Sequence, residues 1–372
     1  YKQTFKLETS GEYMRLFKGG IAHVASVIED DLSFRDTGLQ KPHVSAIADI
    51  CSSVLATKTV NTAEWIAVLP RKSDDKSKER YISRVLSNKL IKPTSVMRGF
   101  IPEIIEIAAS NGKTVILMLD QSKISNGFAC LMVSLRVSER AIPVAWKVVE
   151  TKGAIGFDVQ EKLLAEVLEM IPVGVDILLA ADRFYGTSAL IGWCKKHKWQ
   201  YRIRLKSNLI FQNGGGDITA AEALEMKISG LTNTCFNNTD ISTNIGILWE
   251  KENGHKEPWF IAMDCDPTKY TTLDYSMRWG IECMFADFKS RGFSITKTQL
   301  KHTDRIERLI VTIALYWAVS TGMQPNTKQA RHTKLYRSLT SLFKRGLRYI
   351  LNAALTLAEI PVLWSYKNCV GW

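Results

Sequence analysis

The chain is poor in the residues that build disulfide frameworks and zinc sites. Its 372 residues include only seven cysteines (Cys51, Cys130, Cys194, Cys235, Cys265, Cys283 and Cys369), with no CxxC pair. Six histidines (His23, His43, His197, His255, His302 and His332) fall at no ligand spacing, so a zinc site is not expected and the thiols read as mostly buried apolar groups. Long apolar runs are also missing. Residues 309–321, among the longest uncharged stretches, fall short of the roughly 18 apolar residues of a membrane span, so no membrane helix is expected. Tyr1-Lys2-Gln3-Thr4 has no basic stretch leading into an apolar core, which argues against secretion and for a reducing cytoplasm. Neither a Ser-His-Asp arrangement nor a GxSxG motif stands out, so hydrolysis through a nucleophilic side chain is not expected. Internal repeats and low-complexity tracts are absent as well.

What is present is the composition of a globular protein, with 46% apolar and 23% charged residues. At roughly 150 residues per domain, the length predicts two to three domains. The net charge of +12 is unevenly spread. Residues 1–111 hold 16 Lys and Arg against 13 Asp and Glu, residues 112–289 hold 20 against 21, and residues 290–372 hold 13 against 3. Nearly all the excess lies at the C-terminal end, and a one-sided basic segment favours a polyanionic partner through release of counterions from phosphates. The other reading of that segment is a solvated basic surface.

The first 111 residues carry helical spacing, as in Ile21-Val24-Val27-Ile28 and Val44-Ile47-Ile50-Val54. Asn61 with Glu64, and Ser73-Asp74-Asp75, read as helix starts. The expectation is an all-helical region of the size of a small DNA-binding bundle, with no recognition helix assignable. After Gly112 the texture changes. Residues 114–119, 128–137 and 141–149 read as consecutive strands, 157–170 as a helix, 176–181 as a strand, 188–198 as a helix and 201–206 as a strand. That order predicts an α/β class with a mixed sheet and helices packed on it. Residues 207–270 read as a β-rich insertion with strands near 245–250 and 259–263. Helical spacing returns over 271–289 and again from Asp304, with Glu307 at the capping-box position, to Gly322. The expected domains are thus 1–111, a core made of 112–206 and 271–322, the insertion, and a basic helical region at 323–372.

Asp120 directly follows the strand pattern 114–119, and Asp182 directly follows 176–181. Ligand sites of open α/β sheets gather at the carboxyl ends of strands, and paired carboxylates there supply the oxygen ligands that magnesium or manganese prefers. Each Asp alone reads first as a turn or capping residue, and it is the pair that points to a metal site. On the segment 275–289, at about 100° per residue, Tyr275, Arg278, Glu282 and Lys289 fall within a stripe about 60° wide. Arg278 and Glu282 can be an i,i+4 ion pair on a solvated face. Against that, Trp279, Met284, Phe285 and Phe288 surround the stripe, so the helix is expected to be packed.

Asp120-Gln-Ser122, Asp182-Arg-Phe-Tyr-Gly186 and Y-x2-R-x3-E-x6-K together resemble the DDE transposases of bacterial insertion sequences, in the branch marked by the Y-R-E-K signature (the insertion-sequence-four family). The resemblance covers roughly residues 112–322 and implies a ribonuclease-H-like core with a β-rich insertion before the Glu helix. It implies that Asp120, Asp182 and Glu282 are the catalytic carboxylates and ligate two divalent cations, Mg²⁺ or Mn²⁺, for an in-line phosphoryl displacement. Arg278 and Lys289 would contact phosphates, and Tyr275 would hydrogen-bond the DNA backbone.

In such relatives the element is excised through nicking, hairpin formation and hairpin opening, then joined to target DNA. Hairpin chemistry takes a base out of the stack, and Trp259 is the expected stacking residue, with Trp249 its competitor and a sheet-face role open to both. Arg183, Lys206 and Asn208 are expected to line the same groove. Lys328, Arg331, Lys334, Arg337, Lys344, Arg345 and Arg348, with Tyr336, Phe343 and Tyr349 between them, predict a basic helical face for DNA or protomer contact. The implied partners are double-stranded DNA, as terminal inverted repeats and target, and a second copy of the chain in a synaptic homodimer within a bacterial cytoplasm, nucleoid-associated when bound to DNA; no membrane is implied. Two alternatives stay open: a nuclease on the same core that cuts without joining, and a domesticated DNA-binding protein with a decayed site.

Overall fold

A computed structural model of the chain describes residues 20–125, 127–137, 139–214, 216–237, 239–250, 252, 256–311, 322 and 341–360. The chain divides into two compact units. One joins Tyr1–Ile104, Ile124–Asn126 and Ala286–Trp372; the other joins Ile105–Lys123 and Gly127–Phe285.

The first unit is built from α1 (Gly20–Phe34), α2 (Lys41–Thr57), α3 (Thr62–Val68), α4 (Asp75–Ser87), α5 (Pro93–Arg98) and the start of α6 (Ile101–Ala108). Local chemistry sets their ends. Asn61 caps α3 by accepting from the Ala63 amide at 3.2 Å, and Asp74 caps α4 by accepting from the Ser77 amide at 2.9 Å, each satisfying an orphan donor of a first turn. Helix α2 stops at Lys58, which turns left-handed at φ 54° and returns its amide to the Val54 carbonyl. Ile28, Leu32, Leu55 and Trp65 are fully buried, and the Trp65 indole donates to the Thr59 carbonyl at 2.8 Å, so its one polar atom is satisfied. Later residues of the chain add to this unit. Phe293 meets Phe343 edge-on at 5.5 Å.

The second unit is a ten-stranded mixed sheet. Its strands are β1 (Val115–Ser125), β2 (Phe128–Val137), β3 (Arg140–Glu150), β4 (Ile177–Ala181), β5 (Gln200–Arg204), β6 (Ile210–Asn213), β7 (Gly216–Thr219), β8 (Gly230–Phe236), β9 (Thr243–Leu248) and β10 (Trp259–Met263), in the order β3-β2-β1-β4-β5-β10-β9-β8-β6-β7. Strands β1, β4 and β5 run parallel; β2 with β3, and β10 with both β5 and β9, are antiparallel. Strand β4 is buried along its whole length and carries no polar side chain, as a parallel strand covered on both faces requires. Helices α7 (Phe157–Leu168), α8 (Ser188–Lys196), α9 (Ala220–Glu225) and α10 (Lys269–Leu273) accompany the strands, followed by α11 (Trp279–Phe288), α12 (Thr303–Leu309) and α13 (Leu342–Thr356). The strands of residues 207–270 extend the same sheet, because β10 returns to pair with β5 at Ile261 opposite Arg204.

Three expectations are corrected. Strand β1 runs on to Ser125, so Asp120 lies inside a strand instead of directly after it. Strand β4 pairs with it only as far as Leu119, and its neighbour beyond the apolar stretch is β2, ten residues long. The segment 271–289 is not one helix: α10 ends at Leu273, a tight 3-10 turn covers Asp274–Arg278, and α11 begins at Trp279. The Thr271 carbonyl, which a continuous α-helix would offer to the Tyr275 amide, accepts from Arg202 Nε at 3.0 Å. At the other end Lys289 is the first residue past α11. A Cβ on Gly292 would sit 2.2 Å from the Asp287 carbonyl oxygen, so the missing side chain allows the chain to close tightly there. Finally, the N-cap position of α12 is His302, whose side chain makes no capping hydrogen bond, and Asp304 lies inside the first turn, accepting from Arg308 at 2.8 Å. Residues 312–321 and the cations Lys328, Arg331, Lys334 and Arg337 lie outside the described residues.

Candidate active site

Strand β1 brings Asp120, the loop after β4 brings Asp182, and the 3-10 turn with α11 brings Tyr275, Arg278 and Glu282. These five side chains form one hydrogen-bonded network. Arg278 Nη1 donates to Asp120 Oδ2 at 2.8 Å, its Nη2 donates to Glu282 Oε1, and its Nε donates to the Tyr275 hydroxyl oxygen at 3.0 Å. The Tyr275 hydroxyl in turn donates to Asp182 Oδ1 at 3.1 Å. One guanidinium thus serves three acceptors in its rigid fork, a geometry lysine cannot reproduce.

The packing that permits this is specific. Gly280, in the first turn of α11, has no Cβ, and one placed there would meet the Arg140 carbonyl oxygen at 3.0 Å; glycine lets the helix carrying Glu282 lie close to the strand edge. Gly186 plays the same part after Asp182, where a Cβ would stand 2.4 Å from the Arg204 carbonyl oxygen. Gln121, next to Asp120, accepts from the Ile155 amide at 2.9 Å and donates to the Gly153 carbonyl at 3.0 Å, fastening β1 to the loop after β3. Buried Arg202 pairs with Asp264 at 2.8 Å and holds the Thr271 carbonyl, fixing where the 3-10 turn starts.

Three carboxylates against one guanidinium leave the network formally negative. Burial pushes the Asp120 carboxyl up to about 6; Arg278 opposes that rise, while Asp182 and Glu282 add to it. Burial also raises the Tyr275 hydroxyl, against Arg278 and with Asp182, so it stays protonated and able to donate. For Arg278, burial alone would lower its pKa, yet Tyr275, Asp120, Asp182 and Glu282 together raise it and secure its charge.

A cavity of about 380 Å³ adjoins the network, lined in part by Arg204, Trp259, Tyr275, Arg278, Trp279 and Glu282. Trp259 packs edge-on against Tyr275 at 5.1 Å and 81°, with one part of the indole on the core and another facing the cavity. Trp249 is exposed and one residue past β9, and it does not line this cavity. Arg183 is paired with Glu257 at 2.9 Å, whereas Lys206 and Asn208 are exposed in the turn after β5 and line no part of the cavity. Lys289, Lys344, Arg345 and Arg348 belong to the first unit. On α13, Lys344 and Arg348 are exposed while Phe343, Leu347 and Ile350 are buried.

Five of the cavity's lining residues, Arg204, Lys256, Glu257, Ser276 and Trp279, were not foreseen there. Trp279 was expected to be packed, but it is 63% exposed, because the break before α11 turns it out of the helix's buried side. Met284, Phe285 and Phe288 are buried as the spacing predicts. Arg204 gave no signal beyond its place at the end of a strand.

The donor set is all oxygen and carries excess negative charge, which fits a magnesium-type cation. Among the described residues, however, no three His, Cys, Asp or Glu are gathered closely enough to hold one. The guanidinium of Arg278 stands between Asp120 and Glu282, and a cation would need those oxygens released. The described cysteines are all unpaired thiols, and no described helix is long and apolar enough to cross a membrane.

No curated protein is similar enough to this chain to count as a match. Residues 158–318 match the family model of the transposase DDE domain, a stretch that takes in Asp182 and the Tyr275, Arg278, Glu282 and Lys289 spacing; with the mixed sheet, which is compatible with a ribonuclease-H-like fold, the match supports a DDE transposase.

Proposed function

We propose that the protein is a DNA transposase of the Y-R-E-K branch that cuts at the ends of an insertion element and joins them to target DNA by phosphoryl transfer. The observation that carries this reading is the convergence of Asp120, Asp182 and Glu282, from separate elements, on one arginine and one tyrosine beside a cavity lined by tryptophans. Asp120, Asp182 and Glu282 are the residues that would hold divalent magnesium or manganese, two ions per site. When bound, such ions activate the attacking water or 3′-hydroxyl and offset the charge on the departing oxygen.

The chain's own residues do the rest. Arg278, permanently charged, binds a non-bridging phosphate oxygen once it has handed over Asp120 and Glu282, which converts an internal ion pair into a substrate contact. Tyr275 keeps its proton and donates it, either to Asp182 as described or to the DNA backbone. Trp259, buttressed by Tyr275, offers a face on which an extruded base stacks during hairpin formation. Arg183, Lys206, Lys289, Lys344, Arg345 and Arg348 add backbone contacts that set position without reading sequence. The protein works as a homodimer on paired terminal inverted repeats.

The test is a labelled duplex carrying the end of the element, taken from the DNA that flanks the gene, incubated with purified protein with and without magnesium. Magnesium-dependent hairpins or joined products, absent with Asp120→Ala, are expected. Plain cuts without hairpins or joining would indicate a nuclease, and binding without cleavage in either condition would indicate a DNA-binding protein only.

A further inference from the structure

Arg183 and Arg204 reach one carboxylate from two different elements. Arg183 sits in the short 3-10 turn after Asp182, and Arg204 ends strand β5. Gly186 brings these elements together, since any side chain there would strike the Arg204 carbonyl. Both guanidinium groups donate to the same atom, Glu257 Oε2, at 2.9 and 3.1 Å. Glu257 stands two residues before Trp259, and the cavity wall includes Arg204, Lys256 and Glu257 together with Tyr275 and Arg278.

We infer that Arg183 and Arg204 form a phosphate-binding subsite beside this cavity, held in the DNA-free protein by Glu257 as an internal anion that a DNA phosphate displaces. The inference rests on the transposase reading, since it takes the displacing ligand to be a phosphodiester. The chemistry favours exchange. Two guanidinium forks aimed at one carboxylate oxygen leave the cluster with net positive charge, and a phosphate offers two free oxygens, one for each fork. Arg183 and Glu257 are about half exposed, at 45% and 47%, so the internal pairing is weak and readily replaced. Glu257 thereby raises the threshold for DNA entry, since a phosphate must displace it to reach both forks.

Fluorescence anisotropy of a labelled duplex of arbitrary sequence, titrated against the full chain over a range of salt, tests this. Glu257→Gln is nearly isosteric and exposed, so it leaves the fold intact. It is expected to tighten duplex binding by about three- to tenfold and to steepen the salt dependence by about one released ion. In an Arg183→Gln/Arg204→Gln background the same substitution is expected to change nothing, because the cations that Glu257 blocks are gone. Equal gains in both backgrounds would reduce Glu257 to a general repulsive charge and overturn the subsite. Wild-type binding that Glu257→Gln leaves unchanged overturns it too while sparing the transposase reading, and a wild type that binds no duplex at any salt removes both.

Discussion

The two units each contain an aspartate, an arginine and a tyrosine joined by hydrogen bonds, yet the clusters differ in what they can do. In the helical unit Arg71 Nε donates to Asp49 Oδ2 at 2.7 Å, the Tyr81 hydroxyl donates to the same oxygen at 3.0 Å, and Arg71 lies over the Tyr81 ring at 3.9 Å. Within the hydrogen-bonded set one negative charge meets one positive charge, and Glu29 acts on Asp49 from nearby without a hydrogen bond to it. In the sheet unit a similar set, Asp120, Arg278 and Tyr275, is joined by two more carboxylates, Asp182 and Glu282, and stands beside a cavity. On the proposed reading, the surplus of negative charge over cation, next to open space, is what separates a ligand site from a structural tie. The kinds of residue present do not separate them.

Breaking one partner in each cluster should therefore have opposite consequences. The largest effect is expected from Glu282→Gln, which keeps shape and removes charge. Strand cleavage should fall by at least about a hundredfold, with end binding still measurable in a gel-shift assay. Retained cleavage would take Glu282 out of the chemistry and make the two clusters equivalent. Asp49→Ala should do the reverse: a loss of about 1–3 kcal/mol in urea unfolding, from leaving Arg71 and Tyr81 without their shared acceptor, with cleavage per folded molecule unchanged. Magnesium should raise the melting temperatures of the wild type and of Asp49→Ala alike and should not raise that of Asp120→Asn.

The pH dependence sharpens the contrast. The folded pKa of Asp120 stands at about 6, above its ordinary 3.8. Its contribution favours the folded state fully below pH 3.8 and is lost as the pH rises toward 6. Asp120→Asn should accordingly be more stable than the wild type at pH 7.5, by on the order of 1–3 kcal/mol, an advantage that fades near pH 4. Magnesium binding by the wild type, read from the rise in melting temperature, should weaken below about pH 6 as Asp120 takes up its proton in the metal-free protein. A stability difference between the two proteins that stays flat from pH 4 to 7.5 would remove the burial argument. The smallest change is expected from Trp259→Ala: the first nick persists while hairpin yield drops, and a normal yield would return Trp259 to a purely packing role against Tyr275.

Several elements were legible because short-range chemistry decides them. The apolar run of β4, the strand at Trp259–Met263 and the capped starts at Asn61 and Asp74 follow from residue size, branching and side-chain oxygens within a few positions. The pairing of Tyr275, Arg278 and Glu282 was visible in their spacing, although the helix assumed for it is broken by a contact from Arg202, some seventy residues earlier in the chain. Trp279 was misjudged for the same reason, since a turn of different pitch changes which side chains face outward.

By itself the sequence determined the alternation of strands and helices, the charge imbalance of the C-terminal end, and the carboxylates and cations of the proposed site, because these depend on neighbours in the chain. The tertiary structure decided that β10 returns to β5, that Arg278 takes Asp120 and Glu282 in a single fork, and that Arg183, Arg204 and Glu257 meet. Each of these joins residues far apart in sequence, and such contacts are set by strand register and by the glycines that let backbones approach, which local propensity does not encode.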